Sequence, residues 1–131
     1  MTSTSASTPL KVFLVEDSEL IRKRLRKLVA AIDGVLVVGE AGDPATALAG
    51  IAEAAADVAI VDLHLAHGTG LDLLKALTLR ALPVVPIVVT NDPAPEYRHE
   101  CLAAGARHFF DKSTELDQVR RTIRGIVEAR N

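Results

Sequence analysis

The chain has 131 residues, a length that fits one domain whose core can stand without a disulfide or a structural metal. A formal net charge of −2 with 24% charged residues gives no drive toward nucleic acid or an anionic membrane. No apolar stretch approaches the roughly 20 residues of a membrane span, and the single cysteine, Cys101, excludes an internal disulfide, so a reducing cytoplasm is the expected compartment.

The opening MTSTSASTP is Ser/Thr-rich and has neither the basic nor the apolar segment of a signal peptide. Residues 1–9 read as a flexible tail and 10–131 as one domain. KVFLV (11–15) is a short apolar run that fits a strand buried on both faces, and it runs straight into Glu16 and Asp17. Ser18 stands where a helix N-cap would. After it, Leu20, Ile21, Leu25, Leu28, Val29 and Ile32 recur at helical spacing until Asp33-Gly34 signals a stop. RKRLRK (22–27) lies on this helix as a solvated face, a docking face for a protein partner or a nucleic-acid patch, the net charge weighing against the last. VLVVGE (35–40) is a second strand whose end adds no obvious chemistry, and Asp43-Pro44 opens a second helix as N-cap and first residue.

DVAIVD (57–62) is a third strand. Leu71, Leu73, Leu74 and Leu77 mark a third helix, and VPIVVT (85–90) is a fourth strand. Residues 95–104 form a short fourth helix closed by Gly105. RHFFD (107–111) is the fifth strand, followed by a last helix from about Ser113 with Leu116, Val119, Ile123 and Ile126 on one side. Aromatics are 3% with no Trp, so the core is expected to be aliphatic. Five strands alternating with five helices predict an α/β fold, a doubly wound parallel five-stranded sheet with helices on both faces. Such folds bind ligands outside the carboxyl ends of their strands.

Those ends carry Glu16 and Asp17 after the first strand, Asp62 after the third, Thr90 on the fourth and Lys112 after the fifth. Two like unit charges about 4 Å apart repel by roughly 4 kcal/mol at an effective dielectric near 20, so converging carboxylates call for a cation. An all-oxygen donor set favours a hard ion, Mg²⁺ or Mn²⁺ in its place. His64, His67, His99 and His108 share no metal-ligand spacing. A hydroxyl and an ammonium beside such an ion suit the oxygens of a phosphoryl group, and Asp62 is then the nucleophile that would carry it. Taken alone, Glu16-Asp17 could equally be an acidic helix start, and Lys112 a surface lysine.

The ordered set Glu16-Asp17, Asp62 in VAIVDLHL, GLDLL (70–74), Thr90 in PIVVT and GARHFFDK (105–112) resembles the response-regulator receiver domain of two-component systems, in its chemotaxis-regulator-like single-domain form. The resemblance covers about residues 10–129 and implies the flavodoxin-like (βα)5 fold. It implies that Asp62 accepts phosphate from a sensor histidine kinase or a histidine phosphotransfer protein. Glu16, Asp17, Asp62 and the backbone carbonyl of His64 would hold Mg²⁺, with Thr90 and Lys112 completing the site. Thr90 and Phe109 would form a switch, Phe109 rotating into space that Thr90 vacates, and so reshape the face made by the fourth helix, fifth strand and fifth helix. That face would bind a downstream protein or a second copy of the chain. No enzyme activity is implied beyond phosphorylation and dephosphorylation of Asp62 itself.

The chain departs from the family pattern at four places, the first being Glu16, a longer substitute where the family often has Asp, which would reach the metal directly or through water. Ala66 stands where many members have proline, which suggests a looser loop. Ser113 follows the lysine in place of proline; a cis bond there would cost about 2.5–4 kcal/mol, and a cap for the last helix is the expected role. Asn91 is larger than the usual residue after the threonine and should alter access to the phosphate. Other readings are a phosphorelay intermediate, a degenerate scaffold, and a small phosphatase using Asp62. Against the phosphatase stands His64, where such enzymes usually place a second acid.

Overall fold

The computed structural model describes residues 8–130. Most of the tail expected at residues 1–9 lies outside them. Five strands form one parallel sheet: β1 (Leu10–Val15), β2 (Val35–Ala41), β3 (Val58–Val61), β4 (Val85–Thr90) and β5 (His108–Asp111), in the order β2-β1-β3-β4-β5. Five helices connect and follow them: α1 (Glu19–Ala30), α2 (Pro44–Ala54), α3 (Gly70–Leu79), α4 (Pro95–Ala103) and α5 (Leu116–Ala129). This is the expected flavodoxin-like arrangement. Among the described residues, no helix is long and apolar enough to cross a membrane.

The apolar runs explain the layers. Side chains alternate across a strand, so a continuous run feeds both faces of the sheet. Leu10, Val12 and Leu14 of β1, with Val58, Ile60, Ile87 and Val89, face Leu25 and Val29 of α1 and Val119 and Ile123 of α5. Phe13, Val15, Ala59 and Val61 face Ala47 and Ile51 of α2 and Leu73 and Leu77 of α3. The core is mainly aliphatic, as the composition predicts, with Phe13 and Phe109 as its large exceptions. A Cβ on Gly39 would lie 2.4 Å from the Phe13 ring and one on Gly50 2.6 Å from it, so two glycines make the slot for that ring.

Some boundaries differ from the sequence reading. Helix α1 ends at Ala30, before Asp33-Gly34, and Ile32 is buried in the turn that follows, where its N–H donates to the Val29 carbonyl at 3.1 Å. Leu20 is exposed rather than part of the apolar stripe. Ser113 does not cap α5: its backbone N–H and its hydroxyl both donate to Asp111 Oδ1, at 2.9 and 2.7 Å. This local turn competes with the helix, which therefore starts at Leu116.

Candidate metal and phosphoacceptor site

β1 and β3 are adjacent at the point where the strand order reverses, and their carboxyl ends place Glu16, Asp17 and Asp62 together. One oxygen from each of these carboxylates lies within 4.8 Å of the others. Lys112 reaches in from beyond β5, its Nζ donating to Glu16 Oε1 at 2.6 Å and to Asp62 Oδ2 at 3.2 Å. The other oxygens are also engaged. Ser18 N–H donates to Glu16 Oε2 at 3.0 Å, and Leu63 N–H to Asp62 Oδ1 at 2.7 Å. Glu16 is 1% exposed. Burial pushes its carboxyl above the ordinary range, the bonds from Lys112 and Ser18 pull it back, and the charge on Asp62 pushes it up again. Three carboxylates against one ammonium leave a negative excess that a divalent cation would balance, and the all-oxygen donor set suits a hard ion.

Thr90 is wholly buried. Its Oγ1 accepts the Asp92 N–H at 3.1 Å, which leaves its own proton available for an oxygen acceptor. The Thr90 carbonyl accepts the Lys112 N–H at 2.8 Å, so the hydroxyl and the ammonium are set by one backbone bond between strand ends. Phe109 is buried among Leu63, Leu74, Val88 and Cys101, with the Arg98 guanidinium 5.9 Å from its ring centre. Arg98 Nη1 also donates to the Phe109 carbonyl at 3.3 Å. Phe110 points to the opposite face, stacked on His108 at 5.8 Å. Burial, and then the nearby Arg107, hold the His108 imidazole below its ordinary value.

The loop after Asp62, expected to be looser for want of a proline, is held by backbone bonds. His64–Leu65 and Gly68–Thr69 pair as a two-residue antiparallel hairpin, and Ala66 N–H donates to the Gly42 carbonyl at 3.0 Å. Proline has no N–H and could not make that bond. Gly70 closes the loop, donating to the Leu63 carbonyl at 2.8 Å, and a Cβ there would stand 2.2 Å from the Asp62 carbonyl oxygen. The His64 side chain is exposed, with Nε2 3.2 Å from Asp92 Oδ2, so it links the loops that follow Asp62 and Thr90. Asn91 lines a cavity of about 210 Å³ with Lys112, Ile21, Leu25, Leu28 and Leu116, between α1 and α5.

Two residues near the site escaped the sequence reading. Arg22 donates from Nη1 to the Glu16 carbonyl at 2.7 Å and from Nε to Glu40 Oε1 at 3.0 Å. Glu40, expected to add no chemistry, takes Arg22 on one oxygen and Arg26 on the other. The basic cluster is thus partly turned inward. The only available signal was an acid at a strand end opposite a basic helix, which does not by itself say that the two meet.

A family model described as the response regulator receiver domain matches residues 12–124. The DNA-binding transcriptional activator DevR/DosR of Mycobacterium tuberculosis is 32% identical over 122 residues, 93% of this chain and 56% of that protein. A protein-glutamate methylesterase/protein-glutamine glutaminase of Myxococcus xanthus is 36% identical over 110 residues, 83% of this chain and 32% of that protein. The chain therefore spans about half, or less, of these curated relatives. Among solved structures, the signal receiver domain of NarL from Mycobacterium tuberculosis superposes with a TM-score of 0.85 at 24% identity, covering 92% of this chain and 98% of that one. The response regulator domain of Thermotoga maritima CheB gives 0.79 at 25% identity, over 92% and 95%.

Proposed function

Because the chain belongs to the response regulator receiver domain family, we propose that it is a phosphorylation-controlled switch with Asp62 as the acceptor. The observation that carries this reading is Lys112 Nζ seated between Glu16 and Asp62, with Asp17 on the same spot. An Asp62 carboxylate oxygen attacks the phosphorus of a phosphohistidine on a sensor kinase or a histidine phosphotransfer protein. An O–P bond forms as the N–P bond breaks, and the departing imidazole nitrogen keeps the electron pair and takes up a proton. Glu16, Asp17, Asp62 and the His64 carbonyl would hold a divalent cation, which when bound would neutralise charge on the phosphoryl oxygens. Lys112 neutralises a further oxygen, exchanging its bond to Asp62 for one to the phosphoryl group. The Thr90 hydroxyl donates to a third.

The readout follows from the same bonds. Thr90 moving toward the phosphoryl group loosens its acceptance of the Asp92 N–H and shifts the loop that leads into α4. Phe109, packed beneath Arg98 in this state, is the second switch residue, and the α4-β5-α5 face is where a downstream protein or a second copy would sense the change.

The deciding test is intact mass after incubation with Mg²⁺ and an acyl phosphate donor, comparing wild type with Asp62→Asn. A gain of one phosphoryl group in wild type alone is the expected result. No gain in wild type, with no binding of Mg²⁺ either, would overturn the proposal in favour of a degenerate scaffold.

A further inference from the structure

We infer that Arg22 is a positioning residue for the acidic site, fixing the peptide that joins Glu16 to Asp17, with Glu40 as its anchor. The inference rests on the metal-binding reading above. Asp17 is exposed, so little besides its own backbone sets the direction of its carboxylate. That backbone is gripped from two sides. Glu16 N–H donates to the Ala41 carbonyl at 2.9 Å, and the Glu16 carbonyl accepts Arg22 Nη1 at 2.7 Å. Arg22 is held in turn by Nε on Glu40 Oε1 at 3.0 Å, and its side chain is only 21% exposed. Arg26, one turn further along α1, takes the other Glu40 oxygen, so Glu40 serves two guanidiniums. The Arg22 backbone is fixed as well, its N–H donating to the Ser18 carbonyl at 2.9 Å. The result is a rigid brace between the ends of β1 and β2, which only a forked, planar donor can make in two directions at once.

Charge and geometry predict opposite outcomes here, which makes the inference testable. A guanidinium beside three carboxylates repels a divalent cation, so if charge alone mattered, removing Arg22 would tighten metal binding. If the brace matters, removing it weakens binding, because groups outside the immediate ligand set typically change metal affinity 10–100-fold. Lysine keeps the charge but lacks the fork.

The experiment measures Mn²⁺ affinity by electron paramagnetic resonance on the full chain as wild type, Arg22→Gln, Arg22→Lys and Glu40→Gln. Melting midpoints in chelator serve as the check on folding. The expected result is about tenfold weaker Mn²⁺ binding in both Arg22 variants, with no rescue by lysine, and a smaller loss in Glu40→Gln. Binding in Arg22→Gln equal to or tighter than wild type would overturn the inference. So would full rescue by Arg22→Lys, which would leave charge as the only role. If Arg22→Gln fails to fold, Arg22→Lys and Glu40→Gln decide by the same measure. A wild type that binds no Mn²⁺ removes the metal reading and this inference together, which is a different result from a wild type that binds and variants that match it.

Discussion

Helices α1, α2 and α3 each begin on a side chain that accepts a backbone hydrogen: Ser18 from Ile21, Asp43 from Thr46, and Thr69 from Asp72 in a full capping box. Helices α4 and α5 begin on Ala94 and Glu115 with no side-chain cap bond, and α4 buries only Cys101. The first region carries Glu16, Asp17 and Asp62. The second surrounds Thr90, Phe109 and Lys112. Low-stability elements with few buried contacts are where local opening concentrates. The acids stand among helices with side-chain caps, and Thr90, Phe109 and Lys112 stand beside the two helices that lack one, where local opening is expected to be easier.

The strongest way to break this comparison is to damage the first region. Phe13→Ala removes the ring slotted between Gly39 and Gly50 and should cost about 3–5 kcal/mol, measured by urea unfolding. Cys101→Ala, the matching change in the second region, should cost only about 1 kcal/mol, and similar losses at the two sites would defeat the comparison. Gly70→Ala comes next. Its Cβ meets the Asp62 carbonyl, and overpacking against backbone should cost about 3 kcal/mol and displace Asp62.

A paired exchange of caps sharpens the contrast. Ser18→Ala should lose about 1 kcal/mol. Ala94→Asp should gain up to about 1 kcal/mol and slow amide exchange in α4, leaving exchange in α2 unchanged. The smallest effect is one of pH. The Thr46 bonds hold Asp43 below the ordinary aspartate value. A depressed carboxylate stabilises above its unfolded value and loses that contribution as pH falls through the folded one. Wild type should therefore exceed Asp43→Ala at neutral pH, and the gap should narrow as the pH falls below the ordinary aspartate range in acid unfolding.

Most of the first region was legible. A four-residue apolar run ending in an acid can be little else than a buried strand that stops at a polar edge, and Ser18, Asp43-Pro44 and Gly105 mark helix ends by local chemistry alone. The start of α5 was misread because Ser113 has two partners within reach, the helix and Asp111, and only geometry shows that Asp111 takes it. The bond that the Ala66 N–H makes to the Gly42 carbonyl lies across a loop boundary, so no local pattern announces it. Arg22 and Glu40 stand on different elements, and nothing local marks one as the other's partner. Thr90 and Lys112 could be assigned to one edge of the sheet, but the bonds from Lys112 to Glu16 and Asp62 are products of the completed sheet.

Lys112 and Glu16 are 96 positions apart in the chain. A ribosome making this protein releases both acids of the first strand long before it makes the lysine that offsets them. Until β5 docks beside β4, Asp62 has no ammonium beside it and Thr90 no strand to hold its loop. On the proposed function, the site is therefore complete only once β5 has been made and docked, and a copy truncated before Lys112 lacks the ammonium that joins Glu16 and Asp62. The ion pair thus ties the two ends of the sheet's sequence together through the same atoms that the proposed chemistry would use.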